Sequence, residues 1–171
     1  MTATFVVEDG TGLATANAYV SVADADQYHT DHGAPAAWTG VDAVKQAAIR
    51  LATEYLDARY GSAWKGRRSN EDQALDWPRV DVHDRDEYLL ASDEIPAALA
   101  AAAALLALKS LQGDVLLPDV VPGGNVKSES KRVGALAKSV EYLGGKTSAK
   151  RYVLVDHLIG DLVRSGGAVR A

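Results

Sequence analysis

The sequence predicts a mainly α fold, a helical bundle of about four helices with a small β element and an extended C-terminal tail. Three observations predict it. Apolar residues recur at spacings of three and four from Val44 to Leu56, alanines and leucines run almost unbroken over residues 97–111, and Val155, Leu158, Ile159 and Leu162 form a last stripe near the C-terminus. With 171 residues, 47% of them hydrophobic and 24% charged, the chain suits one domain over residues 1–165, followed by a flexible tail over 166–171.

In order along the chain, residues 4–7 read as a short extended start, and Asp9-Gly10-Thr11-Gly12 as a turn. Ser21 and Asp24 stand at capping-box spacing, so a helix is expected over 22–32, ended by Gly33 and Pro35. In the next helix Val44, Ala47, Ala48, Leu51, Ala52, Tyr55 and Leu56 are expected to face inward and Lys45, Arg50, Glu54 and Asp57 outward, with Gly61 as the stop. A polar stretch follows, read as a loop with packed aromatics, in which Pro78 pushes Trp77 out of helical angles. Asp93, Glu94 and Pro96 then open a helix over 97–111 that is apolar nearly all round and belongs in the middle of a bundle. Residues 114–125 read as a loop, 126–142 as two short strands, and 150–164 as the last helix.

Cysteine is absent, which excludes a disulfide framework, a thiolate zinc site and a cysteine nucleophile. The N-terminus lacks a basic and then apolar leader, and the apolar run over 95–108 is too short and alanine-rich for a membrane span, so no membrane partner is expected. No constellation points to an enzyme, a metal or a cofactor. His29 and His32 share a helical face without a third ligand and read as a solvated helix end. Residues 81–87 are rich in carboxylates but lack the glycine and terminal glutamate of a calcium loop, and read as a charged surface loop. Gly144-Gly145-Lys146-Thr147 has Val140 where a phosphate-binding loop needs glycine. His157 reads as a half-buried helix residue rather than a general base.

The net charge of −5 argues against a protein built to grip nucleic acid. Its distribution is uneven: residues 1–44 carry six acids and no Lys or Arg, and residues 127–171 carry nine basic residues against four acids, as a subunit stacked between different neighbours would. The one local mix of basic and aromatic residues is Lys65-Gly66-Arg67-Arg68 between Trp64 and Trp77, a composition that a single-strand binder uses. Aromatics make up only 6% of the chain, and the two tryptophans are expected to anchor the loop, with the basic residues pairing to acids or to a neighbouring subunit.

Several blocks carry a resemblance. They are residues 11–19 (TGLATANAY), 52–61 (ATEYLDARYG), Trp64-Lys65-Gly66-Arg67-Arg68, Ala74-Leu75-Asp76-Trp77-Pro78-Arg79, Ile95-Pro96 and Lys131-Arg132-Val133-Gly134. Together they resemble, over nearly the whole chain, a phage and prophage family labelled DnaT-like single-stranded DNA-binding protein. That family is in turn similar, in gene order and fold, to the head-tail connectors, or adaptors, of long-tailed phages. The resemblance implies a non-enzymatic virion subunit, made in the bacterial host cytoplasm and placed in the neck between head and tail. It implies a homo-oligomer, a dodecameric ring, that binds the portal protein above and a neck or tail component below, with genomic DNA passing through unbound. The portal contact would come from Arg164, Gly166, Gly167, Val169, Arg170 and Ala171, and Tyr55, Leu56, Tyr60, Gly61, Trp64, Trp77 and Pro78 would be structural motif residues. In the alternative, a single-stranded DNA-binding replication accessory, Lys65, Arg67 and Arg68 would touch DNA.

Overall fold

The computed structural model describes residues 4–117 and 150–164, together with the backbone of residues 128–133 and 136–141. The chain divides into two units, the larger formed by Met1–Leu116 with Arg151–Arg170, the smaller by Leu117–Lys150 with Ala171. The predicted mainly helical fold is present, with four α-helices and small antiparallel strand pairs among the described residues.

The larger unit starts with an extended segment whose Val7 bridges Ala18 in parallel. The following turn closes on Glu8, a buried carboxylate that accepts the backbone N–H groups of Gly10 (3.1 Å), Gly12 (2.8 Å) and Leu13 (2.9 Å). Three donors that would otherwise be orphaned are thus satisfied by one side chain. Gly10 has φ +99°, and a Cβ there would lie 1.9 Å from the Asp93 carbonyl oxygen, so only glycine fits where the turn meets the approach to the third helix.

Helix α1 (Val22–Asp31) is capped as its sequence predicts: the Ser21 hydroxyl accepts the Asp24 N–H at 3.0 Å and donates to the Asp24 carboxylate at 2.6 Å. One of its two histidines departs from the expected solvated helix end. His32 is exposed, but His29 is only 2% exposed, with Nε2 3.1 Å from the Ala104 carbonyl oxygen and its ring against Trp38. Burial lowers its pKa. The residues that cover it lie 9 and 75 positions away in the chain, beyond the reach of local pattern.

Helix α2 (Asp42–Tyr60) buries Ala48, Ile49, Ala52, Thr53, Tyr55, Leu56, Arg59 and Tyr60. Val44, Ala47 and Leu51, expected inside, are exposed, Val44 by 46% and Leu51 by 48%. Asp57, expected outside, is turned inward. The helix carries apolar residues on two faces, and the packing of α3 (Ala97–Leu111) and α1 selects one of them. Helix α3 itself is central, touching α1, α2 and α4 (Val153–Leu158), with Leu99, Ala102, Ala103, Ala104, Leu106, Ala107 and Leu108 buried. Its alanines let neighbouring backbones come close.

The expected last helix over 150–164 is shorter in the structure. It spans α4, then Ile159 leaves helical angles at φ −94° and ψ 4°, and a 3-10 turn covers Gly160–Leu162. Beyond it the chain runs extended beside residues 63–65: the Lys65 N–H donates to Leu162 O (2.9 Å), the Arg164 N–H to Ala63 O (2.8 Å), and Val163 bridges Trp64. These bonds replace further helical turns. Val155, Ile159 and Leu162 are buried as expected, while His157, expected half-buried, is exposed.

Strands β1 (Arg67–Arg68) and β2 (Arg79–Val80) pair antiparallel in the larger unit. In the smaller unit β3 (Ser128–Val133) pairs with β4 (Leu136–Glu141), register Val133 to Leu136, as a hairpin where two short strands are expected. The tail over 166–171 and the segment Gly144 to Thr147 lie outside the described residues. Among the described residues no cluster of His, Cys, Asp or Glu could hold a metal, and no described helix is long and apolar enough to cross a membrane.

Candidate nucleic-acid interface

The loop between α2 and β2 folds around its two tryptophans. Trp64 is 1% and Trp77 0% exposed, their rings meeting edge to face with centroids 5.9 Å apart. Pro78 beside them is also fully buried, after a cis peptide bond. Tyr55, Leu56 and Tyr60 close the cluster from α2, and the Tyr60 hydroxyl donates to the Asp156 carboxylate of α4, itself held by Arg151 at 2.9 Å.

Polar side chains then fix the backbone of the loop. Gln73 donates to the carbonyls of Leu75 (2.7 Å) and Pro78 (3.1 Å) and accepts the Asn70 N–H (2.9 Å). Arg79 lies folded inward, 8% exposed, and its guanidinium donates to the carbonyls of Lys65 (2.7 Å), Asp76 (3.0 Å) and Gly66 (3.0 Å). An arginine spent on three carbonyls is a structural pin, unavailable to phosphate. The Tyr19 hydroxyl donates to Asp57 at 2.5 Å and accepts the Trp77 N–H at 3.2 Å, while Asp57 also accepts the Asp76 N–H at 3.3 Å. Burial, chiefly, pushes the Asp57 carboxyl up to about 7.

What reaches solvent is a corner of mixed charge, its basic residues beside the exposed Asp81, Asp86 and Glu87 of the next loop. Arg67 and Arg68 are exposed, and Arg67 pairs with Asp81 at 3.2 Å in an exposed and therefore weak ion pair. Lys65 is half-buried and its ammonium donates to His83 O at 3.0 Å. Arg164, arriving through the Trp64–Val163 bridge, is exposed 3.5 Å from Gly66 O. The structure thus brings Arg164 to Lys65, Arg67 and Arg68, although the sequence places it with the tail; Gly166, Gly167, Val169, Arg170 and Ala171 lie outside the described residues. The loop over 81–89, closed by the His83–Leu89 bridge, adds an aromatic that sequence reasoning passed over, Tyr88, which is 72% exposed. Its only signal was position within a charged loop.

A second surface lies along α2. Val41, its N-cap, is 69% exposed, and Val44, Ala47, Leu51, Glu54 and Ala58 follow on the outer face at alternating spacings of three and four. Such a seam is the pattern a packing partner uses.

Searches of curated proteins and of solved structures each returned no match. A family model described as "Putative DnaT-like ssDNA binding protein" matches residues 3–171. Covering almost the whole length and every block quoted from the sequence, that match establishes that the chain belongs to the DnaT-like single-stranded DNA-binding family.

Proposed function

We propose that the chain is a non-enzymatic assembly subunit, the head-tail connector of a tailed phage, which joins into a ring beneath the portal and offers its lower face to the next neck component. The observation that carries this reading is the uncovered apolar seam of α2, with Val41, Val44 and Leu51 between 46% and 69% exposed on one helix, a surface for which a lone DNA-binding domain has no use. Burial of Trp64 and Trp77 supports it, because stacking on bases needs open ring faces. The mechanism is geometric: packed helices hold docking surfaces in fixed relation, and no turnover is involved. Negative-stain microscopy of the purified protein with its portal should show rings seated on the portal; separate particles with no co-assembly would refute the proposal.

A second reading is favoured by the family's description and by the exposed Arg67, Arg68 and Arg164, with the exposed Tyr88 on the loop that Lys65 touches. In it the chain holds single-stranded DNA, its phosphates on Arg67, Arg68 and Arg164 and a base on Tyr88. This reading predicts a salt-dependent gel shift that weakens in Arg67→Ala/Arg68→Ala and in Tyr88→Ala. Absence of any shift at low salt removes it.

A further inference from the structure

The loop over 81–91, the first turn of α3 and the end of α4 with its 3-10 turn form a cleft of about 260 Å³. All of its lining residues belong to the larger unit. Leu90, Pro96, Leu158 and Leu162 make its wall mostly apolar, and Asp84, Glu94 and Asp161 stand among them. Small-molecule and cofactor sites run to roughly 300–1,000 Å³, so this cleft takes a side chain rather than a cofactor.

The charges around the cleft do not balance. No Lys or Arg lines it. Three cations lie on neighbouring segments, each with a contact of its own: Arg85 pairs with Asp86 at 3.7 Å, the Lys65 ammonium donates to His83 O at 3.0 Å, and Arg164 lies 3.5 Å from Gly66 O. The positive end of α3 also meets the cleft, because Ala97 and Ala98 line it and α3 has neither a side-chain cap nor an acid in its first turn. A helix end carries about half a charge, which offsets only part of three carboxylates. Asp84 spends Oδ1 on the N–H groups of Asp86 and Tyr88, both at 2.9 Å. Glu94 and Asp161 are exposed, and among the described residues neither carboxylate has a hydrogen-bond or salt-bridge partner.

An apolar wall beside unpaired carboxylates suits a cation on an aliphatic stem, which buries its methylenes and keeps its charged head at the rim. The first N–H groups of α3 have no acceptor within the helix and suit a carbonyl oxygen close to the same stem. A basic residue of a peptide carries both groups, whereas a free polyamine carries only the cation. Arginine suits the rim better than lysine, its guanidinium being more weakly hydrated and able to serve more than one carboxylate.

We infer that this cleft docks an arginine of a partner protein, with its methylenes against Leu90, Leu158 and Leu162, its guanidinium on Glu94 and Asp161, and its peptide carbonyl on the N–H groups of Ala97 and Ala98. Neither the connector reading nor the DNA-binding reading requires this dock, so its failure leaves both standing.

Saturation-transfer difference NMR on the full chain, read on the signals of the peptide acetyl-Gly-Val-Arg-Val-Gly-amide, tests the dock whatever the oligomeric size. The peptide should bind at low salt, with the strongest transfer on the arginine methylenes, and should bind more weakly as salt screens the carboxylates. The same peptide with citrulline in place of arginine keeps the stem and loses the charge, so it should bind at least about fivefold more weakly. Glu94→Gln with Asp161→Asn should weaken the arginine peptide by the same factor and leave the citrulline peptide unchanged; both sites are exposed, and the thermal midpoint should not move. Absence of transfer, strongest transfer on the valines, equal binding of the two peptides, or full binding of the arginine peptide by the variant would each overturn the dock. Spermine that displaces the arginine peptide at equal concentration would assign the cleft to a polyamine and overturn the protein partner.

Discussion

Replacing Trp77 separates its role as a core anchor from any role at the surface. Its side chain is 0% exposed, and a fully buried aromatic of this kind removes about 150–250 Å² from water, or roughly 4–6 kcal/mol at 25 cal/mol per Å². The edge-on contact with Trp64 adds about 0.5–1.5 kcal/mol. Against this stands the indole N–H, buried without an acceptor, at a cost of about 1–3 kcal/mol. Trp77→Ala forfeits the area and leaves a cavity, so it should destabilise the domain by about 3–5 kcal/mol. Trp77→Phe keeps most of the area and discards the unpaired donor, so it should lie within about 1.5 kcal/mol of wild type. Urea denaturation followed by far-ultraviolet circular dichroism measures both, without depending on the tryptophan signal. A Trp77→Ala variant within about 1 kcal/mol of wild type would refute the assignment of this residue to the core.

Two further predictions concern stability. The Asp57 carboxyl has a folded-state pKa of about 7 against an ordinary value of 3.8, so the folded state binds the extra proton between those values. Its contribution is fully present below about pH 4 and is lost as pH rises to about 7. Asp57→Asn, which keeps an acceptor for Tyr19, should remove that downward slope relative to wild type; urea midpoints compared at both ends of the window check it, and parallel slopes would contradict it. Gly10→Ala should cost about 2 kcal/mol or more, from a clash with Asp93 added to an unfavourable positive φ, whereas Gly33→Ala, with open space around its Cβ, should cost only about 1 kcal/mol. Thermal melts of the pair distinguish clash from backbone strain.

The helices were legible because their signals are local. Ser21 and Asp24 cap α1, Pro96 opens α3, and spacings of three and four mark α2 whatever packs on it. Which face of α2 is buried was not legible. Val44 and Leu51 satisfy the same periodicity as Ala48 and Leu56, and only the placement of α1 and α3 decides between them. The misplaced groups share a cause in long-range contact. His29 is buried by Ala104, Asp57 is drawn in by Tyr19 and Asp76, and the last helix yields to pairing with residues 63–65. At the candidate interface, composition pointed to Lys65, Arg67 and Arg68, all of which lie at the corner. Arg164 joins them from 96 residues beyond Arg68, and Arg79, three carbonyls in its grasp, belongs to the scaffold.

The proposed connector role requires that copies of this chain assemble. Its most direct test is mass photometry of the purified protein, with and without a single-stranded oligonucleotide at low salt. The connector reading predicts a closed oligomer of one defined mass that the oligonucleotide leaves unchanged. A monomer whose mass rises by that of the oligonucleotide would contradict it and establish the DNA-binding reading instead.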